Sequence, residues 1–437
     1  MIGFAGLSHL GIVSSIATAA KGFEVIAYGE TAALCDRLNE GKIPFFEPEL
    51  EELLASNKQR IHFTADASEL SRCEVIYFAL DVPTDDSGRS DLSALDQLIE
   101  RVVVLARNGA TLIVLSQVPP GFTRKLARRI ERLEDGRSLQ IFYQVETLIF
   151  GRAVERALHP ERFIVGSSDS HESLPKIYSE LLSAFACPVL VMRYESAELT
   201  KISINMCLVS SVSVANTMAE LCEKIGADWT EIIPALKLDK RIGQHAYLSP
   251  GLGIAGGNLE RDLATVVSLA NEFGTDDSVV DAWISNSRYR RDWALRLLHR
   301  EVIPRAQQQE KKNPVIAVWG LAYKQDTTST KNSPTLSLID VLKPFSIRAY
   351  DPQVVLDREP HANFFQSSSA IEACKGADAL LIMTPWREFS SISVAQIRDA
   401  MTGRVVVDPY GVLDAGACVE AGFNYFKLGS PSIKEQL

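Results

Sequence analysis

Residues 2–11 read IGFAGLSHLG, an apolar run followed by a glycine-containing turn, and this stretch decides the fold. Ile2 to Ala5 is predicted to form a buried strand, and the helical pattern that follows runs from Leu10 to Lys21. A strand, a glycine turn and a helix in this order are typical of a dinucleotide-binding domain, because the N–H groups at the helix N-terminus can hold a pyrophosphate.

The turn departs in two places from the GxGxxG pattern of such domains. Gly6 and Gly11 occupy the outer glycine positions, but Ser8 adds a side chain at the middle one. The acid expected at the end of the second strand, where it would bind the adenine ribose, falls on Gly29, with Glu30 one residue later. The motif alone therefore leaves two interpretations open: dinucleotide binding, and a strand–turn–helix without a ligand.

After this turn, short apolar runs alternate with helical patterns such as that of residues 92–106. The alternation predicts an α/β fold in which parallel strands form a doubly wound sheet. At residue 314 it starts again with PVIAVWGLAY, which predicts a second, smaller Rossmann-like domain containing the runs SIRAYDP, ALLIMTP and RVVVDPY. The other strands predicted in the first domain are Glu24–Tyr28, Glu74–Leu80, Thr111–Leu115, Phe163–Gly166 and Val189–Met192.

The middle of the chain has a different pattern. Residues 196–226 carry apolar side chains at helical spacing, which predicts one long central helix that joins the two Rossmann-like domains and contributes to a dimer core. The charged stretch Gln307 to Asn313 is predicted to be a linker. We therefore expect an N-terminal dinucleotide-binding domain over 1–190, a central helical dimerisation domain over 196–306, and a C-terminal domain over 314–437.

The composition limits the classes of function. The 437 residues contain 45 Lys and Arg against 55 Asp and Glu, a formal charge of −10, which argues against non-specific nucleic-acid binding. Seven scattered cysteines without a CxxC pair indicate reduced thiols and a cytoplasmic protein. The histidine spacing gives no support for a metal site, and the sequence predicts neither a signal peptide nor a membrane span.

Eight further stretches stand in an informative order: 39–54 (NEGKIPFFEPELEELL), 83–92 (PTDDSGRSDL), 116–121 (SQVPPG), 196–201 (SAELTK), 239–243 (DKRIG), the glycine-rich 251–257, 320–324 (GLAYK) and 350–352 (YDP). With this series the sequence resembles the UDP-glucose/GDP-mannose dehydrogenase family over essentially its whole length. The resemblance implies NAD as cofactor, a nucleotide sugar as substrate, with a UDP-sugar favoured, and a homodimer.

The resemblance also implies a reaction for which one residue is missing. Such enzymes oxidise C6 of a nucleotide sugar twice, and a cysteine captures the intermediate aldehyde, because an aldehyde has no hydride to give until a nucleophile adds to it. The family's cysteine-containing run, similar to GGSCFPKD, is here Gly256 to Asp262, GGNLERD. Asn258 stands at the nucleophile's position, and an amide cannot form the adduct. Cys207 is the nearest cysteine to a family site, and it reads as a buried helix thiol.

Other parts of the family's site are present. Glu146 matches a general base, and Asp262 matches an aspartate that positions water. Lys201 and Asn205 match residues that contact the reacting C6 oxygen and the sugar. Without the resemblance, Glu146, Lys201 and Lys324 would be interpreted as ordinary surface residues. The expected cofactor contacts are Gly6, Ser8, His9, Leu10, Gly11, Glu30, Val82, Pro83, Gln117 and Lys331; the expected substrate contacts are Arg241, which would reach a neighbouring subunit's sugar, and Tyr247, Leu248, Ser249, Gly253, Gly256 and Lys324.

The departures from the family pattern cluster where cofactor and chemistry are handled. They are Ser8, Gly29, Leu34, Gln117, Phe150, Asn258, Lys331 and Tyr410. One hypothesis is an oxidoreductase with altered output, which stops at the 6-aldehyde or oxidises a hydrated aldehyde. The alternative is a catalytically inactive nucleotide-sugar-binding or regulatory homologue. A different substrate is a third possibility, since Phe150 and Tyr410 would make the pocket more apolar.

Overall fold

The computed structural model describes residues 1–85, 89–133, 136–255, 257–304 and 314–433. Gly256, expected to bind substrate, and the predicted linker Gln307 to Asn313 lie outside the described residues. The chain divides into two compact units, Met1–Ile204 and Asn205–Leu437. Each unit contains one sheet.

The sheet of the first unit has eight strands: β1 (Ile2–Ala5), β2 (Val25–Tyr28), β3 (Ile61–Thr64), β4 (Val75–Phe78), β5 (Thr111–Val114), β6 (Gln140–Gln144), β7 (Phe163–Ser167) and β8 (Val189–Arg193). Their order is β3-β2-β1-β4-β5-β6-β7-β8, and β1 to β6 are parallel. The first six strands thus have the 3-2-1-4-5-6 order of a Rossmann fold. The strand order reverses between β1 and β4, so their carboxyl ends flank the crevice where such folds bind ligands.

Helices cover both faces of this sheet because successive strand residues point to opposite sides. On one face Phe4 stacks on Tyr77 with ring centroids 4.8 Å apart, in a core that includes Leu54. On the other face Phe78 packs in a core that includes Leu98. The helices of this unit are α1 (His9–Ala20), α2 (Ala32–Asn39), α3 (Leu50–Asn57), α4 (Ser93–Val103), α5 (Phe122–Glu131), α6 (Ala153–Leu158) and α7 (Lys176–Ser183).

The longest helix, α8, spans Tyr194–Ile225 and contains the boundary between the units. It is followed by α9 (Trp229–Leu238), α10 (Asn258–Phe273), α11 (Ser278–Arg291) and α12 (Trp293–Glu301). By length and composition α8 is apolar enough to cross a bilayer, a test that the core helix of a water-soluble protein also passes. Its place as the central helix of an α/β fold explains its apolar character without a membrane.

The second unit repeats the same sheet topology. Its strands are β9 (Val315–Trp319), β10 (Ser346–Tyr350), β11 (Phe364–Gln366), β12 (Ala379–Ile382), β13 (Val405–Val407) and β14 (Asn424–Phe426), in the parallel order β11-β10-β9-β12-β13-β14. Buried Asp351 follows β10 and accepts hydrogen bonds from the N–H groups of Leu321 (2.7 Å) and Ala322 (3.1 Å), which fixes the turn after β9. Its helices are α13 (Pro334–Val341), α14 (Ala370–Cys374), α15 (Arg387–Ser390), α16 (Val394–Ala400) and α17 (Ala415–Glu420).

The predicted fold class is confirmed: two Rossmann-like α/β domains and a long central helix are present. The strands β3, β6, β11 and β14 were not predicted, because they are short or contain polar residues that interrupt the apolar pattern. The Phe163 and Val189 runs form β7 and β8 and extend the sheet, as predicted, but not every strand of the sheet is parallel to its neighbour. β7 pairs antiparallel with β6, since the connection between them begins and ends at the same edge of the sheet.

Candidate active site

The turn after β1 has the backbone of a dinucleotide-binding loop. Gly6 has φ +104°, a conformation that favours glycine. A Cβ on Gly11 would collide with the carbonyl oxygen of Gly6, so α1 approaches the turn closely only because this residue has no side chain. α1 begins at His9 and presents its first N–H groups at the carboxyl end of β1.

Ser8 uses its side chain to connect the turn with the end of β4. Its Oγ donates to the carbonyl of Ala79 (3.3 Å) and accepts from the N–H of Asp81 (2.9 Å). The carboxylate of Asp81 in turn accepts a hydrogen bond from the N–H of Leu10 at 3.3 Å. The serine that replaces the middle glycine thus helps to hold an acid at the N-terminus of α1.

The side chain of His9 is engaged inside the first unit. Its Nε2 lies 3.1 Å from Oε2 of buried Glu47, and its ring lies between those of Phe45 and Phe150, with centroids 4.8 and 4.3 Å away. Glu47 also accepts the N–H of Ala153 at 2.7 Å, at the start of α6. The His9 side chain therefore connects the start of α1 to the start of α6 through Glu47.

The loops after β4 and β5 are tied together at the same edge of the sheet. Ser116 accepts the N–H of Leu80 at 3.0 Å and donates to the carbonyl of Leu80 at 2.6 Å. Val82 and Pro83 follow β4, and Gln117 follows β5, so all three expected cofactor contacts lie at the edge that carries the turn after β1. Glu30 follows β2, is exposed, and forms an ion pair with Arg101 at 2.5 Å.

Glu198 fixes the loop that contains Gln117. It is fully buried on α8, and its two oxygens accept the N–H groups of Gly121 (2.6 Å) and Thr123 (2.8 Å) at the start of α5. Burial raises the pKa of the Glu198 carboxyl, and these hydrogen bonds oppose the rise. The residue belongs to the SAELTK stretch, so the sequence indicated its importance but not its contacts.

Lys201 and Glu146 form the first polar cluster, within the first unit. Glu146 follows β6, and Lys201 lies on α8; the Nζ of Lys201 is 3.1 Å from the carbonyl of Glu146 and 3.4 Å from its Oε1. Both side chains are mostly buried, at 14% and 15% exposure. Oε2 of Glu146 is buried without a hydrogen-bond partner among the described residues.

Asn205 and Asp262 form the second cluster, within the second unit. The Nδ2 of Asn205, on α8, donates to Oδ2 of Asp262, on α10, at 2.5 Å. The Nε of Arg261 lies 3.4 Å from Oδ1 of the same aspartate, and all three side chains are buried. The arrangement places an amide donor and a guanidinium on the buried carboxylate of Asp262.

Asn258 is the first residue of α10 and is exposed. It precedes Asp262 by one helical turn, so the two residues share a face of α10. Lys331, expected at the cofactor, lies beside this helix start, since a Cβ on Gly257 would be 3.8 Å from its Cε. Glu260 binds Asn332 and, at 3.3 Å, Arg291. Burial raises the pKa of Glu260.

The loop expected to bind substrate, residues 247–253, is fixed by hydrogen bonds to Trp229 and Asn216. The carbonyl of buried Leu248 accepts from Nε1 of Trp229 at 2.7 Å, and the N–H of Gly251 donates to Asn216 at 2.8 Å. Gly253 has φ +80°, and a Cβ there would collide with the backbone of Ser287. Tyr247 and Ser249, two of the expected substrate contacts, are exposed. Arg241 is also exposed and forms an ion pair with Asp239 at 2.6 Å. Lys324 is half-buried and lies beside the ring of Tyr323.

Three segments of the chain match the domains of one known protein family. The pattern of the UDP-glucose/GDP-mannose dehydrogenase family matches residues 1–185 as its NAD binding domain, 195–288 as its central domain and 317–415 as its UDP binding domain. These matches cover well over half of the chain. The chain belongs to the UDP-glucose/GDP-mannose dehydrogenase family.

Individual relatives agree with this assignment. The chain is 29% identical to the UDP-glucose 6-dehydrogenase of Rickettsia bellii, over 98% of this chain and 99% of that protein. It is 28% identical to a putative UDP-glucose 6-dehydrogenase, YtcA, of Bacillus subtilis, over 98% and 99%. A solved UDP-D-ManNAc dehydrogenase from Pyrococcus horikoshii superposes with a TM-score of 0.83 at 26% identity, over 98% and 99%.

NAD is the cofactor of this dehydrogenase family, and the described turn fits its pyrophosphate. The positive φ of Gly6, the absence of a Cβ at Gly11 and the exposed N-terminus of α1 leave room and N–H donors for an anion. Asp81, which follows β4 and lies at this place, was not among the residues predicted from the sequence. The signal was present, because an acid directly precedes Val82 and Pro83 at the end of a strand that adjoins β1.

Proposed function

We propose that this protein oxidises the C6 alcohol of a nucleotide sugar, with a UDP-sugar as the favoured substrate, to the 6-aldehyde and releases it. The observation that carries the proposal is the combination at α10: Asp262 keeps its hydrogen bond to Asn205, while Asn258, one turn away, lacks the nucleophile needed for the second oxidation. The family membership supports a nucleotide-sugar dehydrogenase, and the residues of this chain suggest where its output changes.

The first oxidation requires no covalent capture. Bound NAD would supply the hydride acceptor for C6, and the hydroxyl proton must pass to a base. Oε2 of Glu146 has no hydrogen-bond partner in the part of the chain that the structure describes, and its carboxylate can accept this proton directly or through water. The ammonium of Lys201, which already donates to Glu146, can donate equally to the developing alkoxide and stabilise it.

The second oxidation requires an adduct that Asn258 cannot form. Cys207 is a poor substitute, although the structure corrects the expectation that it is buried: it is exposed on α8. It follows Asn205 by two residues, and side chains two apart point to different sides of a helix. Burial raises the pKa of Cys73 to about 11 and those of Cys374 and Cys418 to about 12, which suppresses their thiolates.

A panel of UDP-, GDP- and TDP-sugars with NAD tests the proposal. NADH is recorded by absorbance and the product by mass spectrometry. One NADH per sugar with a mass loss of one H₂ supports the proposal. Two NADH with an acid product contradicts it, because water or another group would then replace the cysteine. Absence of NADH with retained sugar-nucleotide binding in calorimetry also contradicts it.

That last result would favour the second candidate function, a catalytically silent nucleotide-sugar-binding homologue. The contact between Asp81 and Leu10 favours this candidate, because it places a carboxylate where the cofactor's anion should bind. The ion pair between Glu30 and Arg101 points the same way, since it engages the acid nearest to the adenine-ribose position.

We further propose a cytoplasmic homodimer assembled through α8. Val214, Met218, Leu221 and Ile225 are exposed by 39% to 66% and recur every three or four residues, so they form one apolar stripe on the helix. An exposed apolar stripe of this kind is typical of a protein–protein interface, and a second copy of this chain is the partner that we propose. All seven cysteines are free, which is typical of a protein in a reducing compartment. Leu221→Glu should convert the dimer into monomers in sedimentation equilibrium, whereas an unchanged dimer would contradict the proposed interface.

A further inference from the structure

The N-terminus of α1 already has an anion of this chain beside it. Oδ2 of Asp81 accepts the N–H of Leu10 at 3.3 Å, and the backbone of Asp81 is held by Oγ of Ser8 at 2.9 Å. The first N–H groups of a helix lack partners within the helix, and its N-terminus carries partial positive charge. Asp81 therefore satisfies in the free protein one of the groups that this domain offers to a pyrophosphate.

The two anions cannot use this place together. The pyrophosphate of NAD needs the same N–H groups at the turn formed by Gly6 to Gly11, and it would bring negative charge within a few ångströms of the Asp81 carboxylate. Asp81 is exposed and its hydrogen bond is long, so the side chain can turn into solvent. The contact therefore opposes cofactor binding without closing the site.

We infer that Asp81 competes with the pyrophosphate of NAD and sets the cofactor affinity of this protein. Ser8 supports the competition, because its hydroxyl holds the Asp81 backbone at the mouth of the turn. Ser8 is the residue that departs from a plain glycine-rich turn, and its hydrogen bond to Asp81 couples the two residues. The inference concerns binding to the N-terminal domain and does not depend on whether the sugar is oxidised.

Asp81→Asn removes the charge and keeps the shape of the side chain. Calorimetry with NAD alone, in low salt and without sugar, should show a Kd lowered by about tenfold relative to the unaltered protein. The affinity for ADP-ribose, which contains the pyrophosphate, should rise by the same factor. The affinity for adenosine, which has no phosphate, should not change. The gain should shrink as ionic strength rises, because salt screens the repulsion that the substitution removes.

Asp169→Asn is the matched control. Asp169 is an exposed aspartate of the same domain that also accepts a backbone N–H, that of His171 at 2.9 Å. It follows β7, whose antiparallel direction puts it at the opposite edge of the sheet from the turn after β1. Equal NAD affinities for Asp81→Asn and the unaltered protein, an equal gain for Asp169→Asn, or a gain that extends to adenosine would each overturn the inference.

Discussion

The side-chain amide of Asn205, on α8, donates a 2.5 Å hydrogen bond to the carboxylate of Asp262, on α10. Arg261 pairs with the same carboxylate in a buried setting. Asp262→Asn should therefore destabilise the protein by about 3 kcal/mol, because it removes a buried negative charge that lies against the guanidinium of Arg261. Denaturant unfolding measures this change.

Asp239→Asn provides the comparison for Asp262→Asn. Asp239 also pairs with an arginine, Arg241, but that arginine is exposed, so its ion pair contributes little to stability. The midpoint of unfolding should hardly move for this variant. Equal shifts for the two variants would contradict the structural role assigned to Asp262.

Restoring the thiol should restore the second oxidation. Asn258→Cys places a cysteine at the first residue of α10, where the helix N-terminus lowers the pKa of a thiol and favours the thiolate. We expect the NADH yield to rise from one to two per sugar and the product to change from aldehyde to acid. Asn258→Ala, which offers no nucleophile, should keep the yield at one. A yield of one for Asn258→Cys as well would show that the thiol is not what limits the reaction.

Lys201 should contribute to the hydride-transfer step. Lys201→Met keeps the aliphatic length but removes the ammonium that lies 3.4 Å from Oε1 of Glu146. Turnover should fall by about 10²-fold or more, while calorimetry should still detect sugar-nucleotide binding. Lys176→Met is the control, since that lysine is 91% exposed and pairs only with its helix neighbour Glu180 among the described contacts. Full activity in Lys201→Met would remove this lysine from the mechanism.

Two glutamates on α8 should give opposite pH dependence of stability. Burial raises the pKa of Glu198, so the folded state holds its proton longer, and the free energy of unfolding falls as pH rises from about 4.3 through the raised pKa. The hydrogen bond from Arg124 lowers the pKa of Glu195, so its stabilisation is present above about 4.3 and is lost as pH falls.

Thermal unfolding followed from about pH 2 to pH 7, on both sides of the unfolded-state pKa of about 4.3, tests this pair of signs. Glu198→Gln should lower stability overall, because one of its two N–H donors loses its acceptor, but it should remove the decline in stability with rising pH. Glu195→Gln should reduce the loss of stability on the acid side. Identical pH profiles for the two variants would show that the two carboxyls have the same environment.

Local sequence patterns predicted the parts of the fold that are determined by residues close together in the sequence. β1, the turn at Gly6 and the long helix α8 follow from apolar spacing within one segment, and their observed bounds lie within two residues of those predicted. β14 could not be predicted in this way, because its sequence, NYF, lacks the apolar run that marks β13, and its strand pairing depends on β13.

The same limit applies to the candidate site. Asn258 was identified from its position in a motif, since the family resemblance runs along the chain. The contact of Asp81 with Leu10 was not predicted, because it forms only when β4 pairs with β1. The two residues are 71 positions apart in the chain, so no local pattern shows the contact. The contact between His9 and Glu47 was not predicted for the same reason, because the two residues lie 38 positions apart in the chain.

The central claim is that the absence of a nucleophile at Asn258 ends the reaction at the aldehyde. The most direct test uses the sugar nucleotide that gives the fastest NADH formation, with NAD in excess. The amount of NADH formed per sugar consumed is measured by absorbance, and the mass of the product is determined by mass spectrometry. We predict one NADH and the 6-aldehyde. Two NADH and the sugar acid would contradict the account.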